Sequence, residues 1–357
     1  MTGTMPVGPY SRLVRMPALL ECVLEGGAVT SAGLTQYARP ERIAASCEGL
    51  SPAEAAVRVS LSCARSAVHH AAAFCEAVEG AQGIEVPEGH GALRVALSEA
   101  TRAASHLEVV SDIGQALEDD ILFGRPRRHI ARIRAAVSGL CGNPFGFGAV
   151  VPGGVRVGGG PEALAGLVES CRSAARAGRL LSARLKMSRA RLSSCALQEG
   201  DLPVGHPPAP AFRGSGSTLD LRAGLDPAGY YAVLGYRPVS RSGGTPLDRV
   251  AVLLEEVAAS GRLVEKVERR ALDLGDLPRV PEVGRGSGSG GWESPHGALE
   301  YRVLMGAGGK VLRVRSFGAS HEVGKLADAA LAGAPFDDCA VALISLNLCG
   351  CCEGARG

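Results

Sequence analysis

GIEVPEGHGALRVALSEATRAASHL, residues 83–107, sets the frame for the rest of the chain. Pro87, Gly89 and Gly91 interrupt it, since proline lacks an amide donor and glycine has poor helix propensity. From about residue 93 to about 117 the pattern is that of a long helix. N-terminal to this break, Ser51-Pro52-Ala53-Glu54 is a helix start, with serine at the N-cap, proline at the first helical position and an acid in the first turn. The helix it opens is expected to run to about residue 78, and its alanines allow close packing against neighbours.

Further helices are expected over 127–140, 161–191, 246–272 and, as the last one, 321–331. The arginines along 161–191 mark a solvated face rather than a binding patch. In 246–272 acids come early and Lys266, Arg269 and Arg270 late, which suits the helix dipole. Short strands are expected over 7–36, where 19–24 and 28–34 flank Glu25-Gly26-Gly27, and again at 301–304 and 311–314 around a glycine turn. Residues 142–160 read as an ordered turn series, and 200–245 as irregular with short strands. The run 284–291 (Gly-Arg-Gly-Ser-Gly-Ser-Gly-Gly) reads as flexible. The tail 339–348 is apolar and ends on Cys349-Gly350-Cys351-Cys352. The fold class is mainly α with minor β (α+β): one domain over 1–357, with a β region at 1–36, a helical core at 39–280 and a β/helix region with a sulfur-rich tail at 292–357.

The 357 residues are 46% apolar, a globular composition with ample chain for a core. A net charge of +2 and 4% aromatics, with Trp292 the single tryptophan, argue against a nucleic-acid partner. No apolar run approaches a membrane span and residues 1–15 lack a secretory h-region, so a cytoplasmic chain is expected. There, disulfides are disfavoured, and Cys22, Cys75, Cys141, Cys171 and Cys195 read as small core residues. Three sulfurs within residues 349–352 are harder to explain by packing.

Several fragments share an order with a known family. Gly83 to Glu88, Leu93-Arg94-Val95, Glu99, Arg102 and Ser105-His106-Leu107 resemble, without a gap, a run in energy-converting hydrogenase large subunits and in the quinone-pocket subunit of respiratory complex I. Gly8-Pro9-Tyr10, Val151 to Arg156, Arg213 to Gly216 with Asp220 and Arg222, Gly244 with Arg249, Glu256 with Ser260, and Glu293 to Gly297 match further family segments. The shared order spans positions 8–352.

The resemblance implies a helical bundle in which an early helix meets the C-terminal tail at a nickel–iron centre held by two C-x-x-C pairs, soft thiolates for redox-active metals. His70, Ala73, Ala77 and Glu79 match the family's motif and place the first pair at Cys63 and Ser66, the second position being serine. The second pair falls at Cys349 and Cys352 and is complete. The implied metal ligands are therefore Cys63, Cys349 and Cys352, with Ser66 at the altered cofactor position. A serine hydroxyl is far harder to deprotonate than a thiol and, as an alkoxide, is a hard ligand. Ser11-Arg12 stands for the family's opening His-Pro, Met16 for a proton-transfer glutamate, Asn347-Leu348 for an Asp-Pro, and His296 for an arginine beside the iron. His70 is implied to hydrogen-bond beside a bridging sulfur, His70 and His296 are the candidate catalytic residues, and His106 is implied to face a partner's iron–sulfur cluster.

The implied function is the large subunit of an energy-converting hydrogenase-like oxidoreductase, exchanging electrons with an iron–sulfur small subunit and docked through partners on a membrane-embedded module. Two alternatives stay open: a complex I-like subunit that binds quinone without nickel, and a non-catalytic scaffold whose C-terminal cysteines bind zinc or nothing. A preformed shared site requires the Cys63 and Cys349 sulfurs within about 8 Å, given metal–sulfur bonds of about 2.3 Å.

Overall fold

The computed structural model describes residues 3–8, 17–37, 41–202, 208–224, 229–268, 277, 284–318 and 323–349. In chain order, strands β1 (Gly3–Val7), β2 (Ala18–Glu25) and β3 (Ala28–Gln36) precede helices α1 (Glu41–Ala45), α2 (Pro52–Ser60), α3 (Ala67–Gln82), α4 (Glu88–Ala116) and α5 (Asp120–Cys141). A two-strand turn, β4 (Val150–Val151) and β5 (Gly154–Val155), leads to α6 (Gly160–Met187) and α7 (Arg189–Leu192). Short helices α8 (Ala209–Gly214), α9 (Leu221–Gly224) and α10 (Tyr230–Val233) precede the long α11 (Pro246–Glu268). Strands β6 (Gly286–Ser294), β7 (Gly297–Met305) and β8 (Val311–Gly318) and helices α12 (Val323–Leu331) and α13 (Cys339–Ser345) complete the described chain. The result is mainly α with three small antiparallel sheets, ordered β1-β2-β3, β4-β5 and β6-β7-β8.

Helix α4 is the axis. It is buried on nearly every face and packs against α3, α5, α11 and α13, with α6 covering α5 and α11. A helix buried all round is ordinarily apolar throughout. Here Arg94, Glu99, Arg102, Ser105 and His106 are buried too, so they need partners. Arg94 finds one in Glu79 of α3, which its Nη1 reaches at 3.0 Å, while Glu79 Oε1 accepts from Gly153 N at 2.7 Å. That network ties the β4–β5 turn to α3 and α4. Between α3 and α4, Gly83 sits at φ 64° as the left-handed cap of α3.

Four expectations are corrected. The helix expected over 51–78 is two helices. The start of α2 is as read from the sequence, with Ser51 at the N-cap and Pro52 in the first turn, and Glu54 closes a capping box with Ser51. The helix then stops at Ser60, whose Oγ donates to Val57 O at 2.6 Å, and α3 begins after Ser66. Ser60 thereby gives the backbone a local alternative to helical bonding. Cys63 therefore lies in a turn, not on a helix.

The second correction concerns 284–291, expected to be flexible. It enters β6, pressed against α3. A Cβ at Gly286, Gly288 or Gly290 would come within 2.6, 2.1 and 2.4 Å of the carbonyl oxygens of Ala81, Ala77 and Ala73. The glycines are the contact surface: they let a strand lie on helix backbone. Third, the described part of 200–245 contains short helices and no strand. Fourth, 321–331 does not hold the last helix, because the apolar tail itself forms α13.

The expected hairpins are present. Gly26 and Gly27 turn β2 into β3 with φ of 60° and 87°, the double positive φ of a tight hairpin turn. The sheet they close packs on α12 around a second core that includes Leu20, Val29, Leu326 and Leu343. Helix α13 bridges the two cores: Val341 and Ile344 belong to the main one, Ala342 and Leu343 to the second. No helix among the described residues is long and apolar enough to cross a membrane.

Candidate metal centre

Three distant segments converge beside the N-terminus of α3. The turn before α3 brings Cys63, the tight β6–β7 turn brings His296, and the segment leaving α13 brings Cys349. Their ligand atoms all lie within 4.8 Å of one another, the one such grouping among the described residues. All three residues are buried, with 8%, 3% and 5% of their surface exposed. The two sulfurs meet the separation that a preformed site requires. Cys352, Cys351, Met16, Ser11 and Arg12 lie outside the described residues.

Asn347 joins the segments. Its Nδ2 donates to Pro295 O at 2.9 Å, its backbone carbonyl accepts from His296 Nδ1 at 2.9 Å, and its Oδ1 accepts from Arg65 Nη1 at 3.3 Å. It adopts φ 51°, a left-handed conformation that asparagine tolerates better than most residues. The β6–β7 turn is held independently. Ser294 Oγ donates to Gly297 O at 2.8 Å and accepts from His296 N at 3.1 Å. Arg102 of α4 donates to the carbonyls of Glu293 and Ser294. Arg249 of α11, wholly buried, donates to Ser345 Oγ at 2.9 Å and Gly244 O at 2.6 Å and also reaches Ala342 O, securing the end of α13. Burial lowers its pKa to about 10.

A carbonyl only accepts, so the Asn347 contact requires the proton of neutral His296 on Nδ1. Nε2 then carries the lone pair. Burial, then the nearby Arg65 charge, lower the ring's pKa, with Cys63 and the Asn347 carbonyl opposing. His70 Nδ1 pairs with Tyr301 OH at 2.7 Å, and burial lowers its pKa to about 4. Ser66 is buried at the N-cap of α3, and its Oγ finds no hydrogen-bond partner among the described residues. The same holds for both ring nitrogens of buried His69, a residue the sequence reading passed over although it adjoins His70.

His106 stands apart from the sulfurs. It is buried on α4, its Nε2 2.8 Å from Glu256 Oε2, and burial lowers its pKa to about 4 against the opposing pull of Glu256. It belongs to an ionic cluster whose extent the sequence reading missed. Arg213 pairs with Glu256 at 2.7 Å, Glu293 at 2.8 Å and Asp220 at 3.1 Å. Arg222 pairs with Asp220 at 2.6 Å and Glu256 at 3.3 Å, and Arg102 with Glu99 at 3.0 Å. Ser260 and Tyr231 hydroxyls donate to Glu99 at 2.6 and 2.9 Å. Burial raises the Glu99 pKa, yet the arginines and these hydroxyls outweigh it and leave it lowered. Glu293 is the exception, raised by burial and then by Asp220. The cluster matters to the centre because Glu293 and Arg102 anchor the turn that carries His296.

The remaining cysteines behave as core. Cys22, Cys75 and Cys171 are buried, and Cys141 and Cys195 half-buried; burial pushes the Cys171 and Cys141 thiols up to about 12. Such thiols are poor nucleophiles.

The buried histidines make stability pH-dependent. Unfolded histidine titrates near 6.5, whereas His70 and His106 stay neutral to about 4. Below about 6.5 the unfolded chain binds protons that the native chain refuses. Their contribution is full above that pH and is lost as pH falls through the window to about 4, by up to about 3 kcal/mol per histidine. Melting followed from pH 7.5 to 4.5 should show a falling Tm from pH 6.5 downward; a flat profile between 6.5 and 5 would contradict it.

No known family profile matches the chain. The α subunit of a membrane-bound hydrogenase from Pyrococcus furiosus is 26% identical over 315 residues, which cover 81% of this chain and 73% of that protein. Among solved structures, a chain from the membrane-bound sulfane sulfur reductase, an archaeal respiratory membrane complex, matches with a TM-score of 0.87 at 21% identity, covering 98% of this chain and 97% of its own. The fold shared with that chain is mainly α with minor β. The chain is thus similar in sequence to a membrane-bound hydrogenase α subunit and in fold to a chain of a membrane-bound respiratory complex.

Proposed function

We propose that the chain is the large subunit of a membrane-associated, energy-converting oxidoreductase complex of hydrogenase type. It exchanges electrons with an iron–sulfur cluster in a small partner subunit and docks peripherally, on the cytoplasmic side, through a membrane-embedded module. The observation that carries this reading is the meeting of Cys63, His296 and Cys349 at one buried point. Sulfurs from distant segments of the chain, shielded from water, suit a soft-metal centre better than a solvated surface does.

A nickel–iron pair is not the group these residues fit. A bridged pair needs a second bridging thiolate. At that position Ser66 presents an alcohol, buried and without a partner among the described residues, and a serine hydroxyl does not deprotonate in the range of a thiol. No step is therefore routed through such a pair. The chain's own residues exclude water, hold His296 with its proton on Nδ1, and place the His70–Tyr301 pair nearby.

A second reading is reduction of a sulfur chain, the activity for which the structural relative is named. Serine at 66, in place of a bridging thiolate, favours it over hydrogen turnover. The intact complex, supplied with reduced viologen, is assayed for hydrogen and for sulfide released from polysulfide. One of the two activities is expected, and Cys349→Ala should lower it at least about tenfold in an assembled complex. Neither activity in the wild-type complex, with quinone reduction instead, would replace this proposal with the complex I-like reading; no electron transfer at all would leave the scaffold.

A further inference from the structure

We propose that Cys63, His296 and Cys349 hold a single borderline-soft divalent ion of the zinc class, with a fourth position that none of the described residues fills. The proposal concerns the same site as the function above and specifies what fills it. Two thiolates and a neutral imidazole form an S₂N donor set, suited to zinc-class ions and poor for hard cations. The two thiolate charges cancel the ion's two positive charges, so the filled site is neutral in a buried setting, whereas the thiolates alone would be costly there.

The dimensions agree. Metal–sulfur bonds of about 2.3 Å and a metal–nitrogen bond of about 2.0 Å put tetrahedral ligand atoms roughly 3.5–3.8 Å apart. The three ligand atoms already lie within 4.8 Å, so each need move by only a fraction of an ångström to about 1 Å. The imidazole is oriented as metal-bound histidines are. One ring nitrogen donates to a backbone carbonyl, that of Asn347 at 2.9 Å, and this fixes the lone pair on the other. That other nitrogen, Nε2, is buried, and the side chain it faces among the described residues is the Cys63 thiol.

The asymmetry between residues 66 and 296 points the same way. Position 66 offers a hydroxyl in place of a soft donor, and position 296 offers a new nitrogen donor aimed at the remaining sulfurs. One donor is lost at 66 and another gained at 296, and the three described donors suffice for one ion. Among the described residues the site has three protein ligands, the number in zinc sites whose fourth position takes water or substrate.

The test is metal stoichiometry and spectroscopy on the purified full-length complex, with each subunit's metals assigned after separation. About one zinc-class ion per chain, with no equimolar nickel and iron, is expected. Cobalt added after chelation should give a thiolate-to-cobalt charge-transfer band and a four-coordinate visible spectrum. His296→Ala and Cys349→Ser should each reduce metal retention at least tenfold, and His296→Cys should restore retention while strengthening the charge-transfer band. Nickel and iron in equal amounts would overturn the proposal, as would wild-type protein that takes up neither zinc nor cobalt, or unchanged retention in His296→Ala. The wild-type measurements decide the question even if a variant fails to fold. They are also separable from the viologen assay: a chain with one bound ion and no reductase activity refutes the proposed function and leaves this site standing.

Discussion

Replacing Arg213 with methionine is expected to destabilise the chain by about 3–5 kcal/mol, the cost of stranding buried charge. Arg213 is 1% exposed and pairs with Asp220, Glu256 and Glu293, all within 3.1 Å. Four buried carboxylates (Glu99, Asp220, Glu256 and Glu293) face three arginines (Arg102, Arg213 and Arg222). The variant leaves two cations for four acids. Glu293, whose pKa is already raised by burial and then by Asp220, would be the first to take up a proton and relieve part of the strain. The loss should therefore shrink as pH falls. For Asp220 and Glu256, burial works to raise the pKa but the arginines win and lower it; their contribution is present above the ordinary carboxylate range and disappears as pH falls through the lowered values. Urea unfolding at pH 7.5 and 5.5 measures both effects. A loss below about 1 kcal/mol at pH 7.5 would mean that the cluster is hydrated and does not bear on the fold.

Gly288→Ala carries the second large effect, about 3 kcal/mol or more. The new methyl carbon would lie 2.1 Å from Ala77 O and 2.8 Å from Ala81 N. These are helix backbone atoms and have no rotamer to change, so strand and helix must part. Overpacking of this kind costs typically about 1–3 kcal/mol where side chains can yield, and more where they cannot. Gly291→Ala is the internal control on the same strand, because its added carbon meets nothing nearer than 3.7 Å; it should cost below about 1 kcal/mol. Equal melting temperatures for the two variants would show that β6 does not depend on its glycine face. Because β6 ends at the turn bearing His296, Gly288→Ala should also weaken metal retention, which a purely peripheral strand would not do.

Element identity was readable where the chemistry is local. The Ser51 N-cap, the break at Pro87 and the Gly26-Gly27 turn use neighbours in sequence and are present, whereas Gly89 and Gly91, read as part of that break, lie inside α4. The failures share one cause. Residues 284–291 looked flexible because glycine has no side chain to pack and much conformational freedom to lose, and only the presence of α3 at backbone distance turns that into an advantage. The tail 339–348 read as merely apolar, since nothing local distinguishes a buried helix of seven residues from a buried strand. The helix break before Ser66 was hidden among alanines that permit helix but do not compel it.

The centre divides in the same way. The family resemblance implied Cys63, Ser66, His70, His106, His296, Cys349 and Cys352 as chemistry-bearing positions, because each lies in a short string that matches the family's. Whether they meet is a matter of contacts such as Arg65 to Asn347, 282 residues apart in sequence. No periodicity encodes such a contact. It follows from α4 taking the axis, α3 and α13 packing against it, and buried arginines demanding carbonyl and carboxylate partners where they lie. The chain's composition and motifs thus determine the helical class and the candidate donors. The tertiary structure decides that Cys63, Cys349 and His296 share one buried point, because only burial against other segments fixes a turn, a hairpin and a tail to within a metal's bond lengths.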